Sequence, residues 1–235
     1  MITFQNAAAN LPPGRRIYAI GDVHGLSERL VALHALIRND LHNRPVAEPL
    51  LIHLGDYIDR GPDSRGVVEY LMALQKEQPD DAICLMGNHE DMLLAAVDAP
   101  DWEENWLRNG GIQTLQSYGA ATVATIPRDH IDWIRNLAKF HNDGLRFFVH
   151  AGVHPDRPLD SQDEHDLLWI REPFLSSTKD FGCLVVHGHT PLASGMPDIR
   201  SNRLNLDTAA VYGGPLTAAL FSKRLTEPEQ FFFAR

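Results

Sequence analysis

Residues 50–61 of the chain read LLIHLGDYIDRG, and this stretch contains the pattern on which the fold depends. An apolar run suited to a buried strand ends at Gly55, and a carboxylate, Asp56, follows at once. The same pattern of a strand-like run followed by a metal-competent side chain recurs in IYAIGDVHG (17–25), AICLMGNHE (82–90), LRFFVHAG (145–152) and CLVVHGHT (183–190). Because the carboxyl ends of parallel strands meet at one sheet edge, we expect these polar side chains to gather there.

The segments between these runs have the spacing of amphipathic helices. Apolar residues recur at helical intervals from Leu26 to Ile37, where Ser27 is the expected cap, and Asp63 is expected to cap a second helix. The block 89–140 is predicted to be mostly helical, with six packing anchors: Trp102, Trp106, Leu107, Leu115, Trp133 and Ile134. Strands are predicted at 17–20, 50–54, 82–86, 145–149, 183–186, 203–206, 216–221 and 230–233. This alternation predicts an α/β fold, with one layered domain over residues 16–235 after a loose lead-in at residues 1–15.

The composition is that of an ordinary globular protein and excludes several other classes. The chain has 235 residues, 44% of them hydrophobic and 22% charged, which excludes collagen, coiled coils and extended disorder. A formal net charge of −10 argues against nucleic acid or anionic lipid as a partner. Without a long apolar stretch or a signal-peptide pattern, we expect a cytoplasmic protein with no membrane partner. Cys84 and Cys183 form no CxxC pair, so buried inert thiols are expected.

Six side chains that follow the strand-like runs are candidate metal ligands: Asp22, His24, Asp56, Asn88, His150 and His189. Each segment alone has an ordinary structural explanation, because Gly-Asp is a common turn and an asparagine can cap a helix. Five such segments in one chain favour a shared site. Carboxylate, amide and imidazole donors without thiolates favour Mn²⁺, Fe or Zn²⁺. Six ligands favour two ions bridged by a carboxylate, an arrangement used for phosphoester hydrolysis.

Taken in order, GDVHG, GDYIDRG, GNHE, HAG and HGHT resemble the motifs of the phosphoprotein phosphatase family, a branch of the calcineurin-like metallophosphoesterases. The stretches LWIREPF (168–174), NLDTAAVYGG (205–214) and LTAALF (216–221) resemble those of its compact bacterial and phage members. The resemblance runs from Arg16 to Phe221 and implies a four-layer αββα sandwich.

The resemblance also implies two metal positions that share one ligand. Asp22 and His24 would bind the first metal, and Asp56 would bridge both metals. The second metal would be bound by Asn88, His150 and His189.

Four further residues acquire implied roles from the same resemblance. Arg60 and Arg171 would bind the phosphoryl oxygens, a task suited to the planar guanidinium group. A hydroxide bridging the two metals would attack phosphorus in line. His89, oriented by Asp59, would act as general acid and protonate the leaving alkoxide.

The last motif refines this interpretation. Thr190 and Pro191 follow His189, so the second histidine of the GHxH motif of broader calcineurin-like phosphodiesterases is absent, which favours the phosphoprotein phosphatase branch. His187 lies on the same strand face as His189. We assign the ligand to His189, because it occupies the position of the family's GHT histidine, and we expect His187 to pack or to support it. Asp207 is expected near the sheet edge as an orienting residue.

The leading hypothesis is a monomeric, Mn²⁺-dependent protein serine/threonine phosphatase acting on a phosphoprotein, with phosphotyrosine as a further candidate substrate. A symmetrical diadenosine tetraphosphate hydrolase shares the same motifs. Against it, aromatic residues for base stacking are few, and all four tryptophans are predicted to pack in helices. A non-catalytic phosphate-binding module is the hypothesis of another class, and the complete ligand set argues against it.

Overall fold

The computed structural model describes residues 15–46, 48–221 and 226–235. Within these ranges the strands are β1 (Arg15–Ile20), β2 (Glu48–His53), β3 (Ala82–Cys84), β4 (Phe140–Asn142), β5 (Arg146–Val149), β6 (Leu184–His187), β7 (Asp198–Ile199), β8 (Arg203–Asn205), β9 (Leu216–Phe221) and β10 (Gln230–Ala234). The α-helices are α1 (Ser27–Asn43), α2 (Ser64–Glu77), α3 (Asn88–Asp98), α4 (Glu103–Trp106), α5 (Ile112–Tyr118), α6 (Arg128–Arg135) and α7 (Glu164–Trp169). Every predicted strand is present with its ends within two residues of the prediction, whereas β4 and β7 were not predicted. Apart from Arg15, which begins β1, the predicted lead-in lies outside the described residues.

In the described part of the chain the strands form two five-stranded mixed sheets. The first has the order β10-β9-β1-β2-β3, in which β1, β2 and β3 are parallel. The second has the order β4-β5-β6-β8-β7, in which β5, β6 and β8 are parallel. Helices α1 and α2 connect the parallel strands of the first sheet, because parallel neighbours need a crossover.

Alternating side chains along the strands separate the layers of the fold. On β1, Ile17 and Ala19 belong to the core between the two sheets, together with Phe148 and Val186 of the second sheet. Tyr18, which points the opposite way, belongs to the core beneath α1 and α2. The outer face of the second sheet is covered by α7 and the residues that follow it. The predicted four-layer αββα sandwich is therefore confirmed.

The start of α1 differs from the prediction. Ser27 is the first residue of the helix and not its cap, a position occupied by Leu26. The Ser27 hydroxyl instead donates to Asp63 Oδ2 at 2.5 Å. Asp63 caps α2 as predicted, because its Oδ1 accepts the Gly66 N–H at 3.0 Å. The serine thus supports the cap of the next helix, a contact that the local pattern around it does not reveal.

The block 89–140 is largely helical, as predicted. Trp106 and Ile134 are buried anchors, and the remaining predicted anchors other than Trp102 are partly buried against the same core. Trp102 is 56% exposed, so its prediction as an anchor is wrong. It ends a short 3₁₀ turn that starts at Pro100 and breaks the helical register of α3. Among the helices of the described ranges, none has the length and apolarity needed to cross a bilayer.

Both cysteines are free thiols. Cys84 is buried as expected, whereas Cys183 is only half-buried. Burial raises the pKa of the Cys183 thiol to about 11, which disfavours the reactive thiolate, and its inertness stays a prediction.

Two buried histidines that lie outside the metal-ligand set form a hydrogen-bonded chain beneath α1 and α2. His34 Nε2 lies 3.0 Å from His53 Nε2, and His34 Nδ1 lies 2.9 Å from the Tyr70 hydroxyl. One of the two facing nitrogens must carry a proton and the other must not. Burial lowers the pKa of His34 to about 4. Burial and the neighbouring His34 together lower the pKa of His53 well below its usual value.

This pair predicts a loss of stability in mild acid. Because both folded-state pKa values lie below the unfolded value of about 6.5, the stabilisation is fully present above pH ~6.5 and is lost as the pH falls below it. Each histidine contributes a slope of at most about 1.4 kcal/mol per pH unit. Denaturant unfolding at a series of pH values should show a shallower acid slope in the double variant His34→Leu/His53→Leu than in the wild type. The exposed-site variant His42→Leu should keep the wild-type slope, and equal slopes in all three proteins would contradict the prediction.

Candidate metal centre

The polar side chains that follow the strands lie together at one end of the two sheets. They come from the turns after β1, β2 and β3 of the first sheet and after β5 and β6 of the second. Five of these non-glycine residues have φ between 45° and 71°, in the left-handed region: His24, Asp56, Asp59, Arg60 and His189. Strained backbone of this kind clusters at functional sites, which makes this end of the sandwich the candidate site.

Asp56 lies at the centre of the cluster and is buried. Its Oδ2 lies 3.4 Å from His24 Nε2, and its Oδ1 lies 3.3 Å from His150 Nε2. Burial raises the pKa of Asp56, whereas positive charge on a neighbouring imidazole such as that of His89 lowers it below its usual value. One ionised carboxylate thus faces a histidine from each sheet, which is the placement expected of a bridging ligand.

Backbone carbonyls set the orientation of the His24 and His150 rings. His24 Nδ1–H donates to Ile58 O at 2.9 Å, and His150 Nδ1–H donates to Leu54 O at 2.9 Å. Because a carbonyl oxygen only accepts, each neutral ring presents an unprotonated Nε2 to the cluster. Burial lowers the pKa of His24 to about 3 and also lowers that of His150. Both rings are therefore in the neutral form that binds metal ions.

Donor atoms with lone pairs converge around Asn88. Its Oδ1 lies 2.9 Å from His150 Nε2 and 2.8 Å from His189 Nδ1. The unprotonated His150 Nε2 therefore meets two acceptor oxygens, one from Asn88 and one from Asp56, with no proton between them. Such an arrangement is repulsive unless a cation lies among the atoms. This donor set fits a divalent metal ion.

Asp22 brings a second buried carboxylate to the site. The His189 N–H donates to Asp22 Oδ2 at 3.0 Å. Burial, together with the charges of Asp207 and Asp56, raises the pKa of Asp22 well above its usual value. Gly188 is needed beside it, because a Cβ at that position would lie 2.0 Å from Asp22 Oδ1. Neighbouring buried carboxylates destabilise one another unless a cation neutralises them, so this half of the cluster also fits a metal ion.

Two overlapping groups of possible ligands share Asp56. Within each group the donor atoms lie within 4.8 Å of one another, and the groups are His24, Asp56 and His89, and Asp22, Asp56 and His150. The structure thus brings all six predicted ligands into one buried cluster. The division of these ligands between two metal positions stays a prediction.

His89 is held by a buried carboxylate beside the cluster. Its Nδ1 lies 2.7 Å from Asp59 Oδ2, which leaves Nε2 as the nitrogen available to a substrate. Burial alone would lower the pKa of His89, but the charge of Asp56 and the hydrogen bond and charge of Asp59 outweigh it and raise the pKa. A protonated imidazole at this place can donate a proton, as the predicted acid role requires.

The two predicted phosphate-binding arginines differ in their surroundings. Arg60 Nη1 lies 2.8 Å from His24 Nε2, and its guanidinium carbon lies 5.8 Å from the centre of the Tyr212 ring. Arg171 is exposed just after α7. The pKa of His189 is lowered to about 3, mainly by burial and by the neighbouring His150. The charge of Arg171 makes a smaller contribution in the same direction. Arg60 therefore lies at the edge of the cluster, and Arg171 is a surface cation whose charge reaches the cluster.

Glu90 is a residue of the site that our sequence analysis missed. Its Oε2 accepts the N–H groups of Asp56 and Gly87 at 2.9 Å each, and its Oε1 accepts those of Tyr57 and Ile58 at 2.8 and 3.3 Å. This buried carboxylate thus joins the turns after β2 and β3, which carry Asp56 and the GNHE motif. Its place in that motif was the available signal, but the motif does not show which backbone groups it meets.

The remaining candidates lie around the cluster. The His187 ring packs at right angles on Phe174, with centroids 5.0 Å apart, and its Nδ1 lies 3.0 Å from Gly188 O. It is therefore on the outer side of the second sheet, away from the six candidate ligands. Asp207 is buried, and its Oδ1 accepts the Ala209 N–H at 3.0 Å. Its charge helps to raise the pKa of Asp22, and its orienting role stays a prediction.

The family model for the calcineurin-like phosphoesterases matches residues 15–220, and the chain belongs to this family. It is a metallophosphoesterase, of a family that uses a dinuclear metal centre. The resemblance inferred from the strand-end motifs is thereby confirmed.

Three known proteins illustrate how the chain relates to this family. It is 32% identical to serine/threonine-protein phosphatase 1 of Salmonella typhimurium over 217 residues, which are 87% of this chain and 91% of that protein. It is also 32% identical to the symmetrical bis(5'-nucleosyl)-tetraphosphatase of Nitrosospira multiformis over 141 residues, but this match spans 59% of the chain and 44% of that protein. A crystal structure of a proposed diadenosine tetraphosphatase has a TM-score of 0.68 at 24% identity and covers 96% of both chains. That last likeness shows the fold alone.

Proposed function

We propose that the protein is a phosphomonoesterase that removes phosphate from serine and threonine residues of proteins. The observation that carries the proposal is the convergence of unprotonated histidine nitrogens and acceptor oxygens on Asp56, beside the His89–Asp59 pair. A pair of divalent cations bound there would neutralise phosphoryl charge and activate water as the nucleophile. The six converging ligands listed above, all oxygen and nitrogen donors, support Mn²⁺ as the metal.

The chain's own residues account for the other steps. Arg60 and Arg171 bind the phosphoryl oxygens and orient the phosphorus atom for in-line attack. His89 donates a proton from Nε2 to the departing alkoxide oxygen, while Asp59 holds the opposite side of its ring. The alkoxide of serine or threonine is a poor leaving group, so this proton transfer matters for protein substrates. The protein is proposed to act as a monomer.

The extent of the sequence likeness supports a protein substrate over the dinucleotide cleaved by the symmetrical tetraphosphatase, and it does not bear on other tetraphosphatases. The likeness to the serine/threonine-protein phosphatase runs through 91% of that protein, whereas the likeness to the symmetrical tetraphosphatase covers 44% of its length. The compared tetraphosphatase therefore has regions without a counterpart in the match.

One observation favours the second candidate, a diadenosine tetraphosphate hydrolase. The exposed Trp102 and the partly buried Trp169 line a cavity of about 350 Å³ together with His165. The centroid of the Trp169 ring lies 6.4 Å from that of His189, so one side chain that lines the cavity is near a candidate ligand. The expectation that all tryptophans serve only to pack helices is therefore wrong for Trp102. Such aromatic side chains are typical of sites that stack on a nucleobase.

A direct substrate comparison tests the proposal. With Mn²⁺ present, kcat/KM for release of phosphate from a phosphoserine peptide should exceed kcat/KM for formation of ADP from diadenosine tetraphosphate. Preferential formation of ADP would contradict the proposal. Trp102→Ala gives a second readout, because loss of base stacking, worth roughly 1–3 kcal/mol, would weaken dinucleotide hydrolysis selectively. We expect no such selective loss, since the dinucleotide is not the proposed substrate.

Removal of the metals should abolish activity reversibly. We expect chelated protein to be inactive and Mn²⁺ to restore activity better than Ca²⁺, because Ca²⁺ prefers more oxygen ligands than this histidine-containing set provides. Metal analysis of the reactivated protein should approach about two ions per chain. Full activity with one ion, or with none, would contradict the dinuclear assignment.

A further inference from the structure

The carboxylate of Asp59 is completely buried and has partners besides His89. Trp106 Nε1–H donates to Oδ1 at 3.1 Å and to Oδ2 at 3.0 Å, and the Thr114 hydroxyl donates to Oδ1 at 2.6 Å. With His89 Nδ1 at 2.7 Å from Oδ2, each carboxylate oxygen is held by two partners. The direction in which Asp59 points is therefore set by residues 47 and 55 positions further along the chain.

Thr114 also holds the backbone of Asp59. The Asp59 N–H lies 2.9 Å from Thr114 Oγ1 and 3.0 Å from Ser64 Oγ, both of which accept from it. Thr114 thus accepts from the backbone of Asp59 and donates to its side chain. Asp59 and the following Arg60 both have left-handed φ values, 71° and 68°, which persist only where the surroundings support them. The threonine hydroxyl supplies part of that support.

The segment that carries these groups is bent at the point of contact. Between α4 and α5 the chain kinks within Leu107–Gly111, where Gly110 has φ 115°. Gly110 O accepts the Arg60 N–H at 3.2 Å. A Cβ at Gly110 would lie 2.7 Å from Arg60 N, so only glycine permits this approach.

We propose that Trp106 and Thr114 are positioning residues for proton transfer: they fix the Asp59 carboxylate so that His89 presents Nε2 to the leaving oxygen. This inference rests on the acid role of His89 in the proposed function. From the sequence, Trp106 is predicted only as a packing anchor, and no local pattern singles out Thr114.

Removal of the threonine hydroxyl should act on one step of catalysis. Thr114→Val keeps the shape of the side chain but removes a donor to the Asp59 carboxylate and an acceptor of its N–H. We expect kcat for a phosphoserine peptide to fall at least about tenfold, as when a residue that supports a catalytic or ligating side chain is lost, with KM nearly unchanged. The loss should be smaller for 4-nitrophenyl phosphate, whose leaving group needs little protonation. Thr114→Ser, which keeps the hydroxyl, should restore the peptide activity.

A double-variant cycle with His89→Asn tests whether Thr114 acts through His89. We expect Thr114→Val to have no further effect on kcat once His89 is replaced, since the two residues serve one step. Trp106→Phe removes the second donor and should repeat the leaving-group dependence of Thr114→Val. It also provides the test if Thr114→Val does not fold. Thr217→Val is the matched control: Thr217 is equally buried and its hydroxyl lies 2.6 Å from Thr208 Oγ1, away from Asp59. It should leave the ratio of the two substrate activities unchanged.

The outcomes distinguish a failure of the positioning role of Thr114 and Trp106 from a failure of the acid role of His89. Equal losses on both substrates in the Thr114 and Trp106 variants, failure of the serine variant to rescue, or additive effects with His89→Asn would overturn the positioning role. If His89→Asn itself reduces both substrates equally, the acid role in the proposed function is wrong, and the inference that depends on it is overturned too.

Discussion

Replacement of Asp56 by asparagine should release metal from both positions and reduce kcat/KM by more than about 100-fold, beyond the range seen when a residue that merely supports a ligand is lost. The reason is geometric. The two carboxylate oxygens face His24 Nε2 and His150 Nε2 separately, at 3.4 and 3.3 Å. An asparagine offers one oxygen and an NH₂ group, so one side loses its ligand and the site loses a negative charge. Elemental analysis of desalted protein, with steady-state kinetics in Mn²⁺, measures both effects.

The matched control for this variant is Asp63→Asn. Asp63 caps α2, and asparagine is an equally good cap, so metal content and activity should stay near the wild-type values. An Asp56→Asn protein that still binds about two ions per chain with high activity would contradict the bridging role.

Replacement of His89 by asparagine should leave the metal content unchanged and reduce kcat by about 10²–10⁴-fold on a phosphoserine peptide. We assign His89 the role of proton donor and not that of a metal ligand. Its ring is fixed by Asp59 through Nδ1. The reduction should be much smaller for 4-nitrophenyl phosphate, and KM should change little for either substrate. Kinetics with the two substrates, combined with metal analysis of the same preparation, separate acid catalysis from metal binding.

His130→Asn is the control for a buried, hydrogen-bonded histidine outside the site, because His130 Nδ1 lies 2.9 Å from the Tyr118 hydroxyl. It should affect stability more than the ratio of the two activities. Loss of metal in His89→Asn, or equal losses on both substrates, would show that His89 is not the general acid.

The positions of most strands along the chain and the grouping of the site residues follow from local patterns in the sequence. Each of the five motifs contains its own apolar run, its turn and its polar side chain within about ten residues, so the chemistry of each strand end can be predicted without knowledge of its neighbours. The rule that parallel strands place their carboxyl ends together then predicts a shared site. For this reason Asp22 and Asp56 could be placed at one sheet edge before the fold was known, whereas the expectation that His150 lies at the same edge was wrong, because it follows β5 of the second sheet.

Local patterns were less informative where a side chain's partner is remote. Ser27 resembles a helix cap in sequence, but its hydroxyl donates to Asp63, 36 residues away. Trp102 has the spacing of a buried anchor, but the 3₁₀ turn at Pro100 turns it toward solvent. In both cases a contact or a bend outside the local pattern determined the outcome.

The sequence alone therefore specified the α/β layering and the set of polar residues at the strand ends, because these depend on short-range periodicity and on a general rule of sheet topology. The tertiary structure was needed for the features that make this set a reactive site. It showed that His24 and His150 present Nε2, because carbonyl groups 34 and 96 residues away accept their Nδ1 protons. It also showed that Glu90 joins two turns and that Thr114 holds Asp59. These features depend on the distance and direction between backbone and side-chain atoms from remote segments, which exist only once the layers have packed.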